Sequence, residues 1–147
     1  MAIDWFDLFL LVCSFPAFRW GGAPERSAAA LLWGASLATQ IVIAVLHISY
    51  RAPSVTLMAI DLALAVALYV LALRANRLWP MLLAAIQFCG VMGQAVAFVA
   101  PDWGTLENYL AQAKWGYLMG ILLPVATYRH MRRLNRFGVD LPWSPQP

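Results

Sequence analysis

The sequence predicts an all-α membrane protein, a single bundle of five transmembrane helices. The chain of 147 residues is 63% hydrophobic and only 12% charged, whereas soluble domains carry about 25% charged residues. Apolar segments long enough to cross a bilayer follow one another along most of the chain. Basic residues concentrate at alternate ends of these segments, as expected when one end of each transmembrane helix lies on the cytoplasmic side.

The predicted spans follow from segment length. A helix needs about 20 mainly apolar residues to cross the ~30 Å hydrocarbon core of a bilayer, and four segments meet this requirement: about 27–48, 54–73, 78–100 and 109–128. The first segment, about 3–19, is shorter and reaches ~25 Å as a helix, enough for a thin or locally pinched crossing. An interfacial or re-entrant helix is the alternative for this segment, and it leaves four spans.

One bundle accounts for nearly the whole chain. Residues 1–136 form the predicted bundle, and the proline-containing residues 137–147 form a C-terminal tail. Pro80 falls at the start of the fourth span, where a missing backbone N–H costs nothing. Little polar sequence is left over, so we expect no separate extramembrane domain.

Charge placement orients the predicted spans. With five crossings and the N-terminus outside, the cytoplasmic side receives most of the basic residues: Arg19, Arg26, Arg74, Arg77, Arg129, Arg132, Arg133 and Arg136. Arg51 and Lys114 remain on the outer side. Because Lys and Arg concentrate on the cytoplasmic side of membrane proteins, the C-terminus is predicted to be cytoplasmic. With four crossings the last four helices keep this orientation.

Asp61 is the clearest candidate for a site, because it lies in an otherwise uncharged apolar segment. A carboxylate there is costly and needs a partner, a proton or a water-filled cavity. Counting 1.5 Å per residue from the outer helix ends puts Asp61, Lys114 and Gln94 ~9–10 Å deep and Gln40 ~13 Å deep. These four residues form a predicted polar layer, with an Asp61–Lys114 ion pair flanked by two amides.

Three interpretations of the polar layer remain open. It can be a proton or cation pathway, or a site for a small polar ligand. It can instead hold the helices together, since buried amides and ion pairs also fix helix packing. In the third interpretation, Lys114 extends to the outer interface and does not contact Asp61.

Small residues predict close helix packing. Gly116 and Gly120 make a GxxxG motif in the last span, and Lys114 points to the opposite side of that helix. The last helix is therefore predicted to pack on two sides, one of them against a partner subunit or a second copy. Two further helices carry stripes of small and polar residues: Ser36, Gln40, Ala44 and His47 on the second span, and Gln87, Gly90, Gln94 and Ala97 on the fourth.

The remaining polar residues specify little chemistry. His47 can bind a pigment or haem singly, but it lies near the outer surface and His130 beyond the inner end, so the two do not share one haem. No spacing predicts a metal site, no catalytic motif occurs, and the sequence specifies no cofactor. Positive charge is spread between helix ends, which does not favour nucleic acid. A cytoplasmic basic block is predicted to contact anionic lipid headgroups or a partner: Arg129, Arg132, Arg133 and Arg136.

Three segments carry a resemblance to a known group: FRWGGAPER at 18–26, ALRANRLWP at 72–80 and TYRH at 127–130. They resemble small multi-pass membrane proteins of alphaproteobacteria, especially sphingomonad relatives, and the likeness spans most of the chain. The resemblance implies a bacterial inner-membrane location. It implies no activity and no site residue.

The sequence therefore predicts a non-catalytic integral membrane protein of the bacterial inner membrane. We expect an accessory or structural subunit of a larger complex, or a homo-oligomer, surrounded by membrane lipids. One alternative is a small transporter or proton-linked carrier, with Asp61 as the titrating group and Lys114, Gln40 and Gln94 lining its site. Another is a pigment-, quinone- or lipid-binding membrane protein, with His47 as a possible ligand.

Overall fold

The computed structural model describes residues 5–47, 54–75, 77–99 and 105–138, with side chains of the last range described from Lys114 onward. These ranges are all-helical. They form five helices: α1 (Trp5–Trp20), α2 (Ala23–Leu46), α3 (Val55–Arg74), α4 (Trp79–Val99) and α5 (Thr105–Phe137). The predicted tail, 137–147, lies outside the described residues after Gly138.

The helices form a closed ring in chain order. Each packs against the next, α5 packs against α1, and α2 also contacts α5. Asp7 near the start of α1 bonds Gln40 near the end of α2, so these two helices are antiparallel. By contrast, α1 and α5 are parallel, because Gly116 of α5 faces Phe6 and Gly120 faces Phe9.

The interior of the ring is apolar and closely packed. Leucines from four helices are almost completely buried, namely Leu10, Leu68, Leu83 and Leu123. The outer faces carry many exposed large apolar side chains, an arrangement expected where lipid rather than water surrounds a bundle. Apolar side chains therefore form both the core of the bundle and much of its outer surface.

Three of the described helices, α2, α3 and α4, are long and apolar enough to cross a membrane by length and composition. Helix α1 has 16 residues and is about 24 Å long. Helix α5 has 33 residues, and its final turns are rich in arginine. The predicted all-helical class is confirmed, with three helices suited to span a membrane.

Two helix ends differ from the predicted span limits for identifiable reasons. Helix α5 continues past Tyr128 to Phe137, because arginine is a good helix former and no Gly or Pro lies between Tyr128 and Gly138. Gly138 has φ +71° and donates its N–H to Leu134 O at 2.9 Å, a left-handed glycine cap. Helix α2 begins at Ala23 with Pro24 in its first turn, where proline is favoured.

Candidate functional site

The described acidic side chains and their polar partners form three clusters, each of which joins different helices. They are the Asp61 cluster (Asp61, Gln87, Gln94), the Asp7 cluster (Asp7, Ser36, Gln40) and the Glu25 cluster (Glu25, Arg77, His130). Every acidic side chain that the structure describes belongs to one of them. Their geometry determines what chemistry the bundle can support.

In the Asp61 cluster, helix α4 holds both oxygens of a carboxylate on α3. Gln87 Nε2 donates to Asp61 Oδ1 and to the Asp61 carbonyl oxygen, each at 3.1 Å. Gln94 Nε2 donates to Asp61 Oδ2. Gln87 and Gln94 are seven residues apart, two helical turns, so both amides lie on the same face of α4. Asp61 is half-buried and Gln87 is buried.

The predicted Asp61–Lys114 ion pair is not formed. Among the described residues the side-chain partners of Asp61 are the two glutamines, while Lys114 is exposed. The ring explains the difference, because α3 packs against α2 and α4 whereas α5 packs against α4, α1 and α2. Asp61 and Lys114 have similar predicted heights but stand on helices that are not direct neighbours. The predicted four-residue polar layer is therefore divided.

The Asp7 cluster joins α1 to α2 and takes Gln40 away from Asp61. Ser36 Oγ donates to Asp7 Oδ1 at 3.0 Å, and Gln40 Nε2 donates to Asp7 Oδ2 at 2.6 Å. Asp7 is buried, and it was not among the predicted site residues. The polar stripe of α2, with Ser36 and Gln40 one turn apart, was the available signal, since such a stripe requires a polar partner on a neighbouring helix.

The Glu25 cluster ties together the opposite end of the ring. Arg77 Nη1 donates to Glu25 Oε1 in an ion pair, and Arg77 Nη2 lies 3.4 Å from His130 Nδ1. Glu25 is 0% exposed and His130 8%. A Cβ at Gly22 would lie 3.1 Å from His130 Cε1, so a glycine there lets the imidazole approach α2.

The Glu25 cluster is not among the predicted sites. Arg77 is predicted only to lie on the cytoplasmic side, and His130 is predicted to lie beyond the inner end of the last span. The available signal was Glu25, the only acidic residue between Asp7 and Asp61, at a helix end crowded with arginine. Its Oε2 atom is buried and has no hydrogen-bond partner among the described residues.

The glycines of the packing motif are used inside the chain. At Gly120 a Cβ would lie 2.4 Å from Phe9 Cε1, and at Gly116 it would lie 3.0 Å from Phe6 Cε2. Gly90 of α4 faces Trp115 of α5. Helix α1 thus occupies the GxxxG face of α5, and the opposite face, which carries Lys114, is open.

The remaining candidates lie at the surface. His47 is exposed and ends α2 with a left-handed φ of 50°, while His130 lies beside the start of the same helix. Since α2 has 24 residues, the two histidines are about 36 Å apart along its axis and do not converge. The arginine block of α5 is exposed except for one half-buried member: Arg129, Arg132 and Arg136 are exposed, and Arg133 is half-buried.

All three arrangements link side chains from different parts of the bundle. Among the described residues no three His, Cys, Asp or Glu side chains are close enough to hold a metal ion. Each described carboxylate accepts hydrogen bonds from side chains of another helix or connection. Compared with family models, curated proteins and solved structures, the chain matches none of them.

Proposed function

We propose that this chain is a non-catalytic integral membrane protein of five spans, with its N-terminus outside and its C-terminus in the cytoplasm. It serves as an accessory or structural subunit of a larger inner-membrane assembly, or assembles with copies of itself. One observation carries the proposal: each described acidic side chain is engaged by donors from a different part of the bundle. Its polar interior is used to hold helices together.

The five-span arrangement is supported by helix direction and charge. In a ring of five, α1 and α5 run parallel and α1 and α2 antiparallel, the order that five successive crossings produce. The short α1 and the arginine-rich α5 supply the two spans that length and composition alone do not identify. The positively charged helix ends then lie on the cytoplasmic side.

A small proton-linked carrier is the second candidate, and a specific observation favours it. The Asp7 and Asp61 carboxylates lie toward the same end of the ring, and the described side-chain partners of both are neutral donors. Carboxylates without a neighbouring cation inside a membrane bundle are typical of proton pathways.

Asp61 variants separate the two candidates. Asp61→Asn keeps the shape of the side chain, and the new amide can hydrogen-bond to a reoriented Gln94 amide. Asp61→Ala removes both carboxylate oxygens that accept hydrogen bonds. If the cluster is structural, Asp61→Ala lowers the thermal midpoint in detergent, and liposomes containing the unmodified protein show no proton flux above empty liposomes. A proton flux that Asp61→Asn abolishes, with normal yield and melting, would establish the carrier instead.

The assembly itself is tested by purification from native membranes in a mild detergent. The proposal predicts a particle larger than one chain, with either further copies or defined membrane subunits identified by mass spectrometry. A lone monomer with no co-purifying protein contradicts a subunit role.

A further inference from the structure

We infer that the outward face of α5 binds an anionic phospholipid of the cytoplasmic leaflet, with its chains along the helix and its phosphate held by Arg129 and Arg132. The inference rests on the membrane insertion proposed above. It does not depend on any partner subunit. Three features of α5 carry it: a continuous apolar face, the arginines that continue that face, and a lysine at its other end.

The apolar part of the site is an exposed stripe along α5. Leu118, Ile121 and Val125 are 46%, 50% and 47% exposed, at intervals of three and four residues. At 100° per residue they lie on one side of the helix. Their exposure shows that no described helix covers this face, whereas the Gly120 side is filled by α1.

The arginines continue the same stripe without rotation. Arg129, Arg132 and Arg136 follow Val125 at intervals of four, three and four residues, so all six side chains lie within an arc of about 80°. A lipid chain lying on Val125 therefore has its headgroup beside the first two arginines. These are exposed, and guanidinium groups bind phosphate oxygens in a two-pronged geometry.

The spacing of cations along the face matches a bilayer. Lys114 is exposed on the same side of α5, and 15 residues separate it from Arg129, about 22 Å of helix. A lysine side chain extended toward the outer headgroups adds several ångströms, which approaches the ~30 Å hydrocarbon thickness. Arg129 and Arg132 then lie in the headgroup layer, and Arg136 lies at its outer edge.

The test measures lipid binding to the purified, delipidated full chain by native mass spectrometry. Phosphatidylglycerol and phosphatidylcholine with identical acyl chains are titrated separately. We expect the unmodified chain to prefer the anionic lipid. R129Q/R132Q should bind it roughly 25-fold more weakly, about fivefold for each interfacial arginine.

The matched control is R26Q/R74Q, which removes two exposed arginines from the same end of the ring on α2 and α3. It changes net charge equally and should alter affinity less than threefold. Equal losses in the two double variants would show a general charge effect and overturn the site. So would equal binding of the two lipids by the unmodified chain.

Two further arms identify the ligand. Glycerol phosphate, which has the charge but no chains, should not compete at concentrations where phosphatidylglycerol saturates. Val125→Ser should weaken lipid binding with all arginines retained. Competition by glycerol phosphate would assign the site to a soluble phosphate, and loss of a protein partner from R129Q/R132Q with lipid binding unchanged would make the face a protein interface; either result overturns the proposal.

Discussion

At the scale of single residues, the bundle is held by a few polar contacts of unequal strength. Interhelical hydrogen bonds within membranes contribute about 0.6–2 kcal/mol each, the range expected for the amide contacts of Asp61 and the Ser36 contact of Asp7. The Glu25–Arg77 pair is different because both groups are charged and nearly inaccessible, 0% and 5% exposed. Removing one member leaves a buried charge without its partner.

The glycines facing α1 give a graded prediction. Gly120→Ala should destabilise the protein by about 1–3 kcal/mol, because its Cβ would overlap Phe9, whose ring also rests against Tyr117 with centroids 4.9 Å apart. Gly116→Ala should cost less, since its contact with Phe6 is 3.0 Å. Thermal denaturation in detergent measures both.

The control for the glycine series is Gly93→Ala, where nothing lies within 4 Å of the new methyl group. It should be neutral or slightly stabilising, because alanine favours helix more than glycine does. An equal loss at Gly93 and Gly120 would mean that backbone flexibility, rather than contact with α1, sets the effect.

The Glu25–Arg77 pair predicts non-additive substitutions. Arg77→Met should cost about 3–5 kcal/mol, because the Glu25 carboxylate stays buried without its cation. The double variant Glu25→Leu/Arg77→Met should be more stable than Arg77→Met alone, since the carboxylate that lost its cation is removed as well. Melting curves of the two single variants and the double variant complete the double-mutant cycle. If the stability losses of the two single variants simply add in the double variant, the pairing is contradicted.

At this scale, the depth of a residue along its helix was predictable from the sequence, but the choice of neighbouring helix was not. Counting residues put Gln94 level with Asp61, and the two are bonded. The same count gave Lys114 a similar height. It could not reveal that α3 and α5 are separated in the ring, because helix order around a bundle depends on packing between distant segments.

At the scale of helices, α1 depends most on its neighbours. It is the shortest described helix, and it is fixed to α2 by the Asp7 cluster and by Trp33 Nε1, which donates to Ser14 Oγ at 2.8 Å. On its other side, Phe6 and Phe9 pack over the glycines of α5. These contacts hold α1, a helix of about 24 Å, in place on both sides.

The native thiol of α1 reports this attachment. Cys13 is buried, and with Cys89 replaced by Ser it is the only cysteine. Asp7→Ala/Ser14→Ala should speed its modification by a small maleimide in detergent on the order of tenfold, because three interhelical hydrogen bonds are lost. Asp61→Ala, which loosens α3 from α4, should leave the rate nearly unchanged. Equal acceleration by both variants would indicate general loosening of the bundle.

Helix existence was predictable because apolar length is a local property, but the limits of α5 were not. Arginine is typical of the end of a membrane span, but it also favours helix. The basic block therefore predicts the end of the apolar segment, although the helix itself continues to Phe137. The true stop is Gly138, whose left-handed conformation is a feature of geometry rather than hydropathy. The placement of His130 depended on this distinction.

At the scale of the molecule, the relative directions of the helices in the ring are fixed, so the orientation of one helix in a membrane determines that of the others. In the proposed orientation the N-terminus lies outside and the Glu25 cluster lies at the cytoplasmic end. The Asp7 and Asp61 clusters then lie in the outer half. An interfacial α1 would have to give up its parallel contact with α5.

Reporter fusions test the orientation. A phosphatase active only outside should be active when fused at the N-terminus and inactive at the C-terminus, with a cytoplasm-active fluorescent protein giving the opposite pattern. This follows from the excess of arginine at one end of the ring. Cytoplasmic signals from both termini would establish four crossings.

The contact between α1 and α5 joins the first and the last of the described helices, which are synthesised more than 100 residues apart. At translation speeds of about 5–20 residues per second, Phe6 and Phe9 wait on the order of 10 s for Gly116 and Gly120 to be made. Throughout that interval a short apolar segment with a buried carboxylate must be sheltered by lipid or by the insertion machinery. A chain that stalls before α5 is made therefore leaves Phe6 and Phe9 without the glycine face that they pack against in the finished bundle.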